Sequence, residues 1–501
     1  RLEAEGERQR GALDIDNPNQ RGVNPQTLRR LFEGADALFA MEQAWESAFF
    51  AHMQLKSENG DVRDVYLGRF DVQDAQSGEH PVMDWRSETG DVFYACDQED
   101  AETMTASAEK VTMRRVFRLQ GGHILEAEEE AENEENADGL LREITPDLLP
   151  WQNRVIRRPL AGHLLLSGPS GCGKTSLILH RTAYLLYRHP ELQQDHVLIL
   201  LSSPLQLAYT AKVLPALGVR RVRRETMESF VRSLMGRSLP KLVETESAKC
   251  DGDETARRIH ACKASLRMWD ELEAFLQSEP ERMVPREDLT FGGFVLVTQG
   301  EMRDLILHQY ASLPLARRIQ EARKPVERKL HGLTDRMKKM LEDMTQDKLN
   351  RLLASMPDGP ERRMRAGRLL DMREARKKEV DDHAQTFMDD FEKQFPDCSL
   401  LSVYRRFLAS QKDRELQTWT EDILDRGRVE KEDIPVLLRI SQAVQGIELP
   451  ELELLVADDC QTLSPFSLRL FRTLYPSAAW TLSGEMTMEG DEAAIWKKEL
   501  F

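Results

Sequence analysis

The 501-residue sequence has only six cysteines (Cys96, Cys172, Cys250, Cys262, Cys398 and Cys460), and no two of them form a C-x-x-C pair. That scatter argues against a zinc site or a disulfide framework and makes a reducing cytosol the natural home, so a cytoplasmic location is expected. Long apolar runs are also missing. None approaches the ~20 residues of a membrane span and nothing resembles a signal peptide, so no membrane partner is expected. Aromatic residues are only 7% of the chain, and a formal net charge of −17 argues against a broadly basic protein that coats nucleic acid. The balance leaves room for a local basic groove, or for an acidic surface that meets a basic protein partner. Stacking on single strands wants basic grooves with interleaved aromatics, and no such run appears. The segment "RVRRETMESFVR", Arg221 to Arg232, reads more simply as a solvated helix face than as a nucleic-acid contact.

What is present is a phosphate grip. Gly168-Pro-Ser-Gly-Cys-Gly-Lys174-Thr175 fits G-x-x-x-x-G-K-[ST] in full. It follows a short apolar run, Leu164 to Leu166, and precedes a helical pattern, the order that this loop requires. Glycines open backbone angles closed to other residues, so successive N–H groups can converge on phosphate oxygens. The predicted nucleotide-binding set is Gly168, Ser170, Gly171, Cys172, Gly173, Lys174, Thr175 and Ser176. Lys174 is expected to reach the β/γ phosphates of ATP, and the Thr175 hydroxyl to ligate Mg²⁺.

The chain around the loop divides by pattern. Residues 1–60 read as an N-terminal helical segment running through "LRRLFEGADALFAMEQAWESAFFAHMQL". Residues 61–125 carry β signals, "DVYLGRFDV", "HPVMDWRSETGDVFYA" and "MRRVFRLQ", with turns at Gly78-Glu79 and Gly121-Gly122. Residues 126–140 form an acidic linker. The P-loop half covers 141–235, with a second strand at "HVLILLSSP" and a helix ending at Gly218. Residues 236–445 read as an all-helical insertion. Within it Val326, Leu330, Leu333, Met337, Met340 and Met344 form a heptad seam, and "MPDGP" breaks the helix, so a helical-hairpin arm is expected over an ordinary bundle. Residues 446–501 supply two further strands, "ELELLVADD" and "AAWTLSGE", each ending in carboxylates at the sheet edge where doubly wound α/β folds bind ligands. Asp458 is the expected second Mg²⁺ ligand and Asp459 the residue that activates the attacking water. Roughly 280 residues separate loop and acidic strand, unlike GTPases and kinases, and no LSGGQ-type signature of the ABC ATPases is present.

The order of motifs resembles superfamily 1 helicases of the UvrD/Rep type. Gln152 in "LLPWQNRVIRRPLAG" sits where that group has its adenine-reading glutamine, and "SSPLQLAYTAKVLPALG", "RRETMESF", "DDCQTLSPFSLRLFRTL" and "TLSGEMTM" resemble successive motifs. Within that group "YLGRFDV", "VMDWRSETGDVFY" and "PLAGHLLLSG…LHRTAYLLY…VLPALG" are most similar to the HelD-type ATPases that remove and recycle bacterial RNA polymerase. Read without that likeness, Asp84-Trp85-Arg86 is a buried tryptophan flanked by an ion pair.

The resemblance implies a RecA-like P-loop domain with a parallel sheet, ATP and Mg²⁺ as cofactors, and bacterial RNA polymerase core as partner to a monomeric protein. DNA is a second candidate partner. It also places Lys174 and Asp459 in catalysis, with Gln461 and Glu485 as candidates for phosphate sensing. The chain departs from the pattern at three points. The family's catalytic glutamate falls on Asp459, one methylene shorter; the final aspartate of that motif falls on Thr462; and the γ-phosphate-sensing glutamine falls on Met488. The expectation is therefore slow hydrolysis or an ATP-binding switch. The chain opens on Arg1 and stops at Phe501, so a fragment lacking the second RecA-like domain is expected. A UvrD/Rep-type 3'-5' DNA helicase and a non-hydrolysing ATP-binding scaffold are the alternatives.

Overall fold

Short runs of Val, Leu and Ile flanked by helical stretches are what a sheet buried on both faces needs, and such a sheet forms here. The computed structural model describes residues 49–57, 59–73, 80–95, 110–120, 123–129, 150–242 and 254–485. The expected turns at Gly78-Glu79 and Gly121-Gly122, most of the N-terminal helical segment and linker, and Met488 lie outside the described residues. The fold is α/β, and the chain divides into two units: residues up to Met227 with Pro450–Leu463 and those from Tyr475 on, and Glu228–Leu449 with Ser464–Leu474.

The first unit holds two five-stranded sheets. One is mixed and contains β1 (Ala51–Lys56), β2 (Val62–Gly68), β3 (Val82–Asp84), β4 (Lys110–Gln120) and β5 (His123–Glu129), in the order β3-β2-β1-β4-β5. β2 and β3 pair in parallel and the other pairs are antiparallel. Three sequence expectations are corrected here. Ala51–Lys56 is a strand where the helical segment was expected to continue, because its buried Ala51, Met53 and Leu55 alternate with period two. Within "HPVMDWRSETGDVFYA" only Val82–Asp84 is a strand, and Glu88–Ala95 forms helix α1. Glu126 to Glu129 belong to β5, paired with β4, and not to a linker.

The second sheet is parallel throughout: β6 (His163–Ser167), β7 (Val197–Leu200), β8 (Arg223–Glu225), β9 (Leu454–Ala457) and β10 (Ala479–Gly484), in the order β6-β10-β9-β7-β8. Every residue of β7 and β9 is buried, and each large aliphatic side chain so placed stabilises by about 1.5–3 kcal/mol. Helices α2 (Pro150–Ile156), α3 (Lys174–Arg188) and α4 (Pro204–Ala216) belong to this sheet. One apolar core joins both sheets. It runs from Phe50, Met53 and Leu67 through Trp85 and Phe93 to Leu177, Ile199 and Val456.

The second unit is mainly helical. Its longest helices are α5 (Leu315–Ser355) and α6 (Pro360–Asp389), joined through Gly359 and the helix-compatible Pro360. They run antiparallel, since Lys338 pairs with Asp381 and Glu342 with Lys377. A helix of 41 residues spans about 60 Å. The heptad seam is only half buried: Val326, Leu330 and Leu333 are enclosed, whereas Met340 and Met344 are 57% and 53% exposed. The unit is not all helix. Leu289–Phe291 and Phe294–Val297 form a β-hairpin around Gly292 and Gly293, whose φ of 57° and 83° suit a tight hairpin turn. Lys241–Leu242 also pairs in parallel with Arg428–Val429. No helix among the described residues is long and apolar enough to cross a membrane.

Candidate functional site

The loop after β6 owes its shape to its glycines. Gly171 (φ 81°) and Gly173 (φ 85°) hold left-handed conformations that side-chain-bearing residues rarely adopt, and a Cβ at either would meet only open space. Gly173 caps α3, so the helix begins at Lys174 with its free N–H groups facing the loop. Lys174 is buried, and its Nζ donates to the carbonyls of Gly168 (2.8 Å) and Pro169 (2.6 Å). Ser170, Gly171, Cys172 and Gly173 line an exposed rim, while Thr175 and Ser176 are half-buried on the first turn of α3.

The acidic strand end meets this loop. β9 lies one strand away from β6, with β10 between them. Asp458, only 2% exposed, accepts from the Thr175 hydroxyl at 2.6 Å through Oδ2 and from the Ser483 hydroxyl at 2.5 Å through Oδ1. Two hydroxyl donors hold the carboxylate against the start of α3. Asp459 stands at φ 50° and ψ 48°, and it alone among the described non-glycine residues has a positive φ. Aspartate tolerates that region better than most residues do. Its Oδ2 accepts from Gln206 Nε2 at 2.5 Å and lies 3.4 Å from Ser202 Oγ, and its Oδ1 lies 3.4 Å from Gln461 Nε2.

Gln461 turns its carbonyl the other way and accepts the Glu485 backbone N–H at 3.1 Å. Gly484 is needed there: a Cβ would fall 2.6 Å from Gln461 Oε1 and 2.8 Å from Cys460 Sγ. Burial pushes the Cys460 thiol up to about 12, with the neighbouring Asp458 adding to the shift. Thr462 is exposed, and its backbone N–H bonds the Asp459 carbonyl at 2.8 Å. Gln152 lies on α2. That helix is tied to α3 by Arg181, which donates to the carbonyls of Val155 and Ile156 (both 3.1 Å), Arg158 (2.6 Å) and Pro159 (3.0 Å), and to Thr481 Oγ1 (3.2 Å). Burial lowers the Arg181 pKa to about 10.

Ser202, Gln206 and Ser483 belong to this constellation and are absent from the sequence-derived set. Ser203 accepts the Gln206 backbone N–H, which is the mark of a helix N-cap. Ser-x-x-Gln at that point therefore reads as a capping box, and nothing in the pattern reveals that the glutamine side chain turns towards the acidic strand.

The mixed sheet contributes a clamp. Arg86 binds both oxygens of buried Asp84 (2.9 and 2.6 Å), donates to the Leu217 carbonyl at the end of α4 (2.9 Å) and lies 4.7 Å from the centre of the Tyr187 ring. Burial raises the Asp84 pKa against the opposing pull of Arg86. Trp85 is 1% exposed.

Residues 3–140 match the family described as DNA helicase IV HelD, N-terminal domain. That supports a HelD-like, helicase-related kinship for the part of the chain it covers, which includes Asp84, Trp85 and Arg86. No curated protein matches the chain.

Proposed function

We propose that the chain is an ATP-binding, slowly hydrolysing P-loop ATPase of the superfamily 1 helicase type, HelD-like, which acts in the cytoplasm on bacterial RNA polymerase. In this reading residues 141–235 and 446–501 are the two halves of a RecA-like domain and 236–445 is an insertion within it. The observation that carries the reading is the Thr175–Asp458 contact at 2.6 Å, made across 283 residues of sequence. It brings a glycine-rich anion cradle and a buried carboxylate to one point.

The residues suit the group. Backbone N–H groups from Ser170 to Lys174 would cradle the phosphates of ATP, and Lys174 Nζ, already offered to carbonyl oxygens, would exchange them for phosphate oxygens. The Thr175 hydroxyl and Asp458 are hard oxygen donors of the kind that Mg²⁺ takes one or two of beside a nucleotide. Bound there, Mg²⁺ would neutralise charge on the phosphates. Asp459 would take a proton from the attacking water. Its shorter side chain supports slow turnover.

A non-hydrolysing ATP-binding scaffold is the second reading, favoured by the departures from the motor pattern at Asp459, Thr462 and Met488. The test is to measure Mg²⁺-ATP binding and turnover on the purified chain, and to ask whether it retains RNA polymerase core with and without ATP. Binding and slow turnover together with polymerase retention are expected. Absence of nucleotide binding would overturn the ATPase reading, and absence of polymerase association would favour a DNA helicase.

A further inference from the structure

We infer that Gln206 is the positioning residue for Asp459 in ATP hydrolysis, an assignment that rests on the ATPase reading above. The orientation of its amide is settled by its neighbours. Oε1 accepts from both the Ser202 backbone N–H and the Ser202 hydroxyl, each at 2.8 Å. The backbone N–H can only donate, so the oxygen must face it and the NH₂ group must point away. That NH₂ group lies 2.5 Å from Asp459 Oδ2 and 3.5 Å from Asp458 Oδ2. A neutral amide thus bridges two adjacent carboxylates, supplying hydrogen-bond donors where their like charges would otherwise repel.

The placement answers a problem of reach. Asp459 is short for its role and sits on a backbone conformation that few side-chain-bearing residues occupy. Left to rotate, its carboxylate would spend time in orientations that cannot meet the water. Gln206 takes up Oδ2 and leaves Oδ1, with only the longer 3.4 Å contact to Gln461, as the atom to receive a proton. In hydrolysis the water oxygen bonds the γ-phosphorus. The bond to the bridging oxygen breaks with its electron pair leaving on ADP, and the water proton passes to Asp459. Gln206 touches none of the reacting atoms; it acts through Asp459. Its own footing is rigid, because it occupies the first turn of α4 and its backbone N–H is held by the Ser203 cap.

The test uses the full chain with Gln206→Ala, the isosteric Gln206→Glu, Asp459→Ala and the Gln206→Ala/Asp459→Ala pair. Single-turnover ATP hydrolysis, binding of a fluorescent ATP analogue with Mg²⁺, and thermal melting are measured on each. Gln206→Ala is expected to slow turnover about tenfold to a hundredfold while analogue affinity stays within about twofold and the melting temperature holds. Gln206→Glu, which keeps the shape but loses the donor, is expected to slow it likewise. The double variant is expected to be no slower than Asp459→Ala alone, the non-additivity of residues acting as a unit. Unchanged turnover in both Gln206 variants, a loss confined to affinity, or additive losses in the pair would each overturn the inference. ATP binding without turnover above the Asp459→Ala background would also overturn it and leave the binding reading standing. No analogue binding by the unaltered chain would instead remove the ATPase reading itself.

Discussion

Thr175 and Asp458 meet at 2.6 Å through a hydroxyl and a carboxylate. Their meeting depends on two strands, β6 and β9, that share a sheet with β10 between them, so the site exists only when distant parts of the chain have paired. Thr175→Ala removes the hydroxyl and leaves Asp458 with Ser483 and the longer contact from Gln206. Affinity for Mg²⁺-ATP is predicted to fall about tenfold to a hundredfold, the range seen when a partner of a metal-binding group is lost. Titration calorimetry with Mg²⁺ and again with a chelator checks this: the two proteins should differ only when the metal is present.

Asp459→Glu lengthens the side chain proposed to activate water by one methylene, and turnover is predicted to rise at least several-fold, since an ångström of misplacement can cost about a hundredfold. The gain comes with a cost in stability. Glutamate is less at ease than aspartate at φ 50°, and a penalty of about 1 kcal/mol is anticipated there. In a unit of this size that corresponds to a melting temperature lower by about 2–4 °C. Slower hydrolysis with an unchanged melting temperature would contradict both halves of the argument.

Arg86→Ala leaves Asp84 buried without its counter-ion and frees the Leu217 carbonyl. Removing one partner of a buried pair costs about 3–5 kcal/mol, and the urea midpoint of the first unit should drop accordingly. Lysine offers a single point charge in place of the planar fork that grips both carboxylate oxygens and the carbonyl, so Arg86→Lys should recover only part of the loss.

In the helical unit, Glu430 gathers His260 Nε2 (2.9 Å), Lys263 Nζ (2.6 Å) and Trp419 Nε1 (3.0 Å), while Lys263 also reaches Asp433 at 2.8 Å. Burial alone would raise the Glu430 pKa, but hydrogen bonds from His260 and Lys263 outweigh it and hold the carboxyl down at about 2. The same contact with Glu430 raises the His260 pKa, against a smaller opposing effect of burial. The Glu430 contribution is complete above its unfolded value of about 4.5 and is lost as pH falls towards 2. The His260 contribution is complete below its unfolded value of about 6.5 and is lost as pH rises through the raised folded one. Denaturation midpoints of this unit should therefore fall on both sides of the window between about pH 4.5 and 6.5. His260→Gln should flatten the alkaline side and also weaken the acid-side dependence, since His260 helps hold the Glu430 carboxyl down.

Much of the parallel sheet was legible because its strands are buried on both faces and therefore read as unbroken apolar runs: "VLILL" and "LLVA" announce β7 and β9 without help from tertiary context. The mixed sheet was harder. "MDWRSETGDVFYA" carries β-prone aromatics, yet Gly90 packs so tightly that a Cβ would stand 2.1 Å from the Trp85 carbonyl, and the chain coils into α1 there. The loop residues and Asp458 were readable from spacing, since a glycine pattern and a carboxylate at a strand end carry their chemistry locally. Gln206 was not. Its side chain points where Ser202 aims it, and orientation of that kind is a property of folded neighbours.

The shared core and the Arg86 clamp have one mechanical consequence. Arg86 grips α4 at Leu217, its last turn, while Gln206 projects from its first, and 13 helical residues make a stiff rod about 20 Å long. A displacement at Arg86 would therefore be carried along that rod to the amide that holds Asp459.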